Sequence, residues 1–232
     1  MARRRNVKRK RADETLVDII EVRDQAQGFV DRYQNYLFGG LTVLVLLVGG
    51  YLAYQNFYQK PRQQTATEQM FQAQVQFERD SFALALTNPG GGYSGFLDII
   101  ENYKGTKAAN LANYYAGVSY LQLGQYVAAL DYLKDFKASG EVTPIMKWGA
   151  FGDCFSELND LEKAMKYDER AVSAGENSIL TPYYLKKVGL LHEHNGDLAE
   201  AKKTFEKIKA EYPDSPDGQD IDKFITRVDS GS

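Results

Sequence analysis

The sequence is short of the residues on which most catalytic and metal chemistry depends: one cysteine, two histidines and one tryptophan in 232 residues. A single cysteine excludes an intramolecular disulfide. Cys154, in GAFGDCFSEL, falls at helical core spacing, where a free thiol behaves as a small buried hydrophobe. A redox or nucleophilic thiol would want a second thiol or a base nearby, and the sequence supplies neither. His192 and His194 flank Glu193, but residues two apart on a helix point away from each other. The i, i+4 spacing of an H-E-x-x-H metal site is missing. His192 also shares a packing column with Tyr120 and Phe155, which marks it as a core residue. Gly90, Gly91 and Gly92 follow Asn88-Pro89, yet neither a phosphate-loop nor a dinucleotide-loop pattern surrounds them, so they read as a turn ending a helix. No Ser/His/Asp arrangement and no acidic pair in a recognisable pocket appears. The expectation is a chain that is not an enzyme, with no catalytic residue, metal, cofactor or small-molecule substrate.

Charge is missing from one long stretch. Between Tyr33 and Gln59 there is no Asp, Glu, Lys or Arg, and Tyr36 to Tyr54 reads YLFGGLTVLVLLVGGYLAY. A helix rises about 1.5 Å per residue, so roughly 20 apolar residues cross a hydrocarbon core. The run meets that length once. Tyr33 and Tyr36 at one end, and Tyr51, Tyr54, Phe57 and Tyr58 at the other, suit the two water interfaces. A cleaved signal peptide is the main rival, but the run ends in LAYQNFYQK without an A-x-A-like site and exceeds a typical signal core. The reading is a retained transmembrane helix over residues 36–58. The net charge of −3 conceals an asymmetry: residues 2–11, ARRRNVKRKR, carry seven basic residues and no acid. Beside a membrane helix such an arm sets topology, with Lys and Arg on the cytoplasmic side, and reaches anionic lipid; nucleic acid is not the expected partner. The remainder of the chain is then expected on the far side of the plasma (inner) membrane.

The arm occupies residues 1–14. Residues 15–35 read as an amphipathic cytoplasmic helix, with Ile19, Val22, Ala26, Phe29 and Tyr33 on one stripe; docking on lipid and docking on a partner both stay open. Within the span, Gly39, Thr42, Gly49 and Ala53 share one face, and Gly49-x-x-x-Ala53 has the small-xxx-small spacing that lets membrane helices approach. Residues 59–104 read as a long helix running through Leu86, with Met70, Ala73, Phe77 and Leu84 in one row, followed by a degenerate first helical pair.

From Gly92 onward the chain repeats. NYYAGVSYLQLGQYVAALDYL (113–133), WGAFGDCFSELNDLEKAMKYD (148–168) and LKKVGLLHEHNGDLAEAKKTF (185–205) align in register. Gly117, Gly152 and Gly189 share a column, as do Ala129, Ala164 and Ala201, and Tyr126, Leu161 and Leu198. Small residues on the first helix of each pair let the second pack close, and one pair alone cannot bury its apolar face, so pairs must stack. The pattern resembles the tetratricopeptide repeat, a helix–turn–helix unit of about 34 residues; Trp148 fills its tryptophan column and Pro213 its closing proline. The fold class expected is all-α: one N-terminal transmembrane helix, then an α-solenoid of three repeats with a capping helix Asp217–Val228 over residues 105–232. The resemblance implies a protein-binding concave face lined by first helices. Carrying the register over places there Leu111, Tyr114, Val118 and Leu121, then Asp153, Ser156 and Glu157, then Tyr183, Lys186, Leu190, Glu193 and His194. Where chaperone-tail binders of that family clamp a carboxylate with Lys and Asn, this chain has Tyr114 and Val118, so an extended or helical protein segment fits better. Packing of these residues on the chain's own 65–86 helix is the competing expectation.

The whole plan, together with the lead-in DQAQGFVDRYQNYLFGG and the aromatic exit YLAYQNFY, is similar to the YfgM-type ancillary subunits of the Sec translocon. DSFALAL and GFLDIIENYKGTKAANLANYYAG look like the Bacteroidetes branch. That resemblance implies an inner-membrane protein with its N-terminus cytoplasmic and its C-terminal domain periplasmic. It also implies partners: Sec translocon subunits and a membrane-anchored, isomerase-like periplasmic chaperone, with membrane lipid around the span. The alternatives are a repeat scaffold for another cell-envelope assembly machine, or an anchored regulator sequestering a cytoplasmic factor.

Overall fold

A computed structural model describes residues 32–36 and 38–231. The basic arm and nearly all of the 15–35 stretch lie outside the described residues. The chain divides into two units, Met1–Lys60 and Pro61–Ser232. Every regular element among the described residues is helical.

In the first unit, helix α1 covers residues 38–54 and passes into a π-helical turn, Gln55–Gln59. Its most apolar 18-residue window has a mean hydropathy of 2.0 and contains no residue buried within the chain. Leu46 is 69% exposed and Val45 60%. A core helix of a water-soluble domain would be covered; this one is long and apolar enough to cross a membrane. Gly39, Thr42, Gly49 and Ala53 are all exposed on it, and the Thr42 hydroxyl donates back to the Phe38 carbonyl at 2.8 Å, which leaves no unsatisfied polar group on that face.

The second unit begins one residue into α2, Lys60–Glu78. The single helix expected through Leu86 breaks after Glu78. Asp80 adopts φ 56°, and the Asp80 and Ser81 amides close the helix end on the Phe77 and Gln76 carbonyls. Asp is one of the few side chains that tolerate this left-handed conformation, so one residue redirects the chain. Helix α3, Phe82–Thr87, then folds back and buries Ala85 and Leu86, while Leu84 turns outward instead of continuing the Met70–Ala73–Phe77 row. Phe77 meets Phe82, Phe96 and Tyr115 edge-on. With α4, Phe96–Asn102, and α5, Lys107–Gln122, these helices enclose the first core, centred on Ala66, Ala73, Phe96, Ile99 and Ala112.

Three helical hairpins follow: α5 with α6 (Tyr126–Asp135), α7 (Val142–Glu157) with α8 (Leu161–Ser173), and α9 (Leu180–His194) with α10 (Leu198–Glu211). Their geometry follows the sequence columns. Ala129, Ala164 and Ala201 are each fully buried. A Cβ added at Gly117 would lie 2.6 Å from Leu133, at Gly152 2.2 Å from Asp168, and at Gly189 2.4 Å from Phe205, so each first helix needs glycine where the second crosses it. The hairpin turns repeat too. Gly124, Asn159 and Gly196 sit at φ 73°, 58° and 84°, and in each turn two amides return to the carbonyls three and five residues back, the hydrogen-bond pattern of a Schellman cap. Nothing lies within 4 Å of a Cβ at Gly196, so Gly196→Ala tests the backbone alone. It should cost roughly 1–2 kcal/mol in urea unfolding, whereas Asn159→Gly should change stability by less than about 0.5 kcal/mol. Equal effects at both positions would remove the left-handed turn as the reason for these residues.

The C-terminal cap is two helices, not one: α11, Pro216–Gln219, and α12, Asp222–Ser230. Ser215 caps α11 by accepting from the Gly218 amide at 2.9 Å. Fully buried Ile221 falls at the break and enters the last core with Phe205, Ile208 and Val228.

Candidate protein-binding groove

The first helices of the three hairpins meet along one groove of about 580 Å³, lined by Leu121, Gln122, Gly124, Tyr126, Asp153, Ser156, Glu157, Tyr183 and Lys187. Five residues expected on the binding face come together here: Leu121 from α5, Asp153, Ser156 and Glu157 from α7, and Tyr183 from α9. The other seven do not line it. Leu111 packs on the first core together with Tyr115, and the Gln74 amide reaches the Tyr115 hydroxyl at 3.4 Å from α2. Tyr114 lies against Phe136 and Tyr115, and burial is the main reason its hydroxyl is pushed up to about 12. Val118 is half-buried on α5. Lys186 pairs with Asp217 at 2.5 Å, Glu193 pairs with Arg227, and Leu190 joins the C-terminal core, so these three face the cap. His194 is exposed at the end of α9. His192 is half-buried, its Nδ1 3.8 Å from Asp197.

Two side chains not expected on the binding face, Tyr126 and Lys187, define the groove's polar character. The Tyr126 hydroxyl donates to Glu157 Oε2 at 3.0 Å; that bond, more than any other influence, holds the phenol above its usual range. Lys187 lies on the groove floor between two carboxylates. Its Nζ is 2.6 Å from Asp153 Oδ1 and 3.0 Å from Asp168 Oδ1. Burial pulls the ammonium pKa down, but Asp168 and Asp153 outweigh it and the net direction is up. Asp168 is fully buried beneath Lys187, and its Oδ2 meets no donor among the described residues. Burial raises its pKa to about 6; Lys187 opposes the rise and Asp153 adds to it.

Aromatic rings frame this network. Tyr183 is 43% exposed and packs edge-on against Tyr184, with ring centres 5.0 Å apart. Tyr184 is buried, which drives its hydroxyl pKa upward, and a Cβ at Gly149 would lie 1.9 Å from its ring. Cys154 is fully buried next to Asp153 along α7, and burial lifts its thiol to about 12. It is not a nucleophile at neutral pH. The groove thus offers one aliphatic side chain, Leu121, an aromatic lip and a carboxylate-bearing floor, a surface for side chains of another polypeptide. A separate depression of about 630 Å³ beside α2 and the Gly91–Gly92 turn is lined by Thr67, Gln69, Phe71 and Tyr93, with Glu68 its one ionised group.

The family model described as "Tetratricopeptide repeat" matches residues 111–139 and 187–215. These stretches hold most of the α5–α6 and α9–α10 hairpins; the α7–α8 hairpin, which carries Asp153 and Asp168, falls between them. No curated protein matches the chain, and no solved structure does. Among the described residues the chain is all-helical, and it carries matches to the tetratricopeptide repeat, a unit that serves protein–protein interaction.

Proposed function

We propose that the protein is a membrane-anchored, non-enzymatic adaptor of the cell envelope. Helix α1 crosses the inner membrane with the basic arm in the cytoplasm, and the repeats stand in the periplasm beside the Sec translocon. There they recruit a membrane-anchored isomerase-like chaperone and help it handle secreted chains. The observation that carries this reading is the pairing, in one chain, of an apolar helix that no part of the chain buries with repeats whose first helices share a groove. The similarity of the overall plan to YfgM-type subunits supplies the choice of machine.

The mechanism is tethering. An anchor confines the repeats near the channel exit, so weak contacts act at the high effective concentration of an intramolecular encounter. Leu121, Asp153, Ser156, Glu157 and Tyr183 form the working part of the binding face. The Gly39, Thr42, Gly49 and Ala53 face of α1 takes a second membrane helix. The test is purification of the intact protein from its native membranes in mild detergent. Channel subunits and a periplasmic chaperone should co-purify, and Tyr183→Ala should lose the chaperone while keeping the channel. Recovery of outer-membrane or cell-wall assembly proteins instead would move the adaptor to another machine. Recovery of soluble cytoplasmic factors through the basic arm would replace it with a regulator.

A further inference from the structure

We infer that the groove recognises a basic side chain on a bound protein segment, which Asp153 takes up in exchange for Lys187. The inference rests on the reading that this groove binds protein.

Register provides the first argument. Gly117, Gly152 and Gly189 each face a residue sixteen positions on, and these are Leu133, Asp168 and Phe205. All three are fully buried. Leucine and phenylalanine fill that position by packing, whereas a carboxylate there packs nothing that leucine would not and brings a desolvation cost. Asp168 is therefore placed for its charge.

Charge count provides the second. Two carboxylates, Asp153 and Asp168, share one ammonium, Lys187, and no other Lys or Arg lines the groove. One negative charge is left uncompensated, and Glu157 adds another at the rim. On the floor pair alone the deficit is one cation.

The third argument is where the charges sit. Asp168 is out of reach of any partner, but Asp153 is not: its side chain is 34% exposed in the groove. Lys187 has somewhere to go when Asp153 is claimed, because Asp168 Oδ2 is an acceptor with no donor on the same buried carboxylate that Lys187 already touches. An ammonium has three donors. Moving fully onto Asp168 fills the vacant acceptor and frees Asp153 for an incoming lysine or arginine, leaving two cations on two carboxylates. Leu121 and the exposed ring of Tyr183 supply the apolar surface on which the long stem of such a side chain lies.

The test uses the full chain in detergent micelles and fluorescein-labelled hexapeptides, blocked at both ends, in which leucine and tyrosine flank one varied position. Lysine and arginine peptides should bind roughly tenfold more tightly than the norleucine peptide, about 1.4 kcal/mol, and the glutamate peptide most weakly. Asp153→Asn should abolish the basic preference, bringing the lysine and arginine peptides to the level of the norleucine peptide; Lys187 stays paired with Asp168 in that variant, so the fold is kept. Asp168→Leu should also abolish it, since Lys187 then has no second seat, and Glu162→Gln on the exposed face of α8 should change nothing. A basic preference that survives Asp153→Asn or Asp168→Leu overturns the exchange. Binding that Tyr183→Ala removes but that shows no basic preference overturns this inference and leaves the protein-binding groove standing. Failure of every peptide to bind overturns both.

Discussion

Replacing Lys187 with methionine is expected to destabilise the repeats by about 3–5 kcal/mol at pH 7, the cost of a buried charge that has lost its partner. Asp168 is fully buried and has Lys187 as its ion-pair partner, so methionine strands the carboxylate, while Asp153, a third exposed, is left to water. The sign with pH follows from the direction of the shift. The folded-state pKa of Asp168 is raised by burial to about 6, against 3.8 for the unperturbed group. The folded protein therefore holds this proton more tightly than the unfolded chain does. The Asp168 contribution is most favourable below pH 3.8 and is lost as pH rises through about 6. Without Lys187 the folded value moves higher still, so the variant should recover much of its stability on acidification from neutrality, over a wider range than wild type. Asp168→Leu is the informative companion. Leu133 occupies the same register position opposite Gly117, so the fold has room for leucine there, and because Lys187 keeps Asp153 at 2.6 Å no buried charge is stranded and the exchange should cost much less than Lys187→Met. Urea unfolding followed by the fluorescence of Trp148, the single tryptophan, reads both, because its ring stacks on Tyr167 beneath Arg170 in the same hairpin. A Lys187→Met protein as stable as wild type at pH 7 would show that Asp168 is already neutral there.

Phe205→Ala is expected to cost about 3–5 kcal/mol. The ring is fully buried, fills the gap left by Gly189 and tilts against Phe224, 5.5 Å away. Alanine leaves a cavity that Ile208, Ile221 and Val228 cannot close without dragging α12 off α10. Stacked repeats touch only their neighbours, so damage stays local. The last hairpin and cap should melt first, with helical circular dichroism falling before the Trp148 signal changes. With a shift of roughly 2–4 °C per kcal/mol for a chain of this size, the first transition should move down by about 10 °C. Coincident transitions would mean that the repeats unfold as one block.

Much of this arrangement is legible in the sequence because it is periodic. The Gly117–Gly152–Gly189 and Ala129–Ala164–Ala201 columns report close helix crossings, and the structure places each where a larger residue would collide or leave the core. What stayed hidden is aperiodic or lies between repeats. The break at Asp80 is a single left-handed residue inside an otherwise continuous helical pattern. Lys186 and Glu193 keep the register of a binding face, but their partners Asp217 and Arg227 belong to the cap, which no repeat column describes. The groove floor does leave a signal in the sequence: the aligned hairpins end on Leu133, Asp168 and Phe205, and a carboxylate between leucine and phenylalanine in a packing column asks for a cation. That cation, Lys187, comes from the next hairpin, a pairing that alignment within one repeat does not reveal.

The proposed function requires the repeats to stand on the outer side of the membrane that α1 is proposed to cross, and cysteine labelling tests this directly. The native thiol, Cys154, is fully buried with its pKa raised to about 12, so it gives little background. In spheroplasts treated with a membrane-impermeant maleimide, a cysteine at exposed position 178 (Ser178→Cys) should label at once. A cysteine in the basic arm (Ala2→Cys) should label only after the membrane is opened. Labelling of the arm with protection of position 178, or equal labelling of both without permeabilisation, would contradict the anchored, outward-facing adaptor.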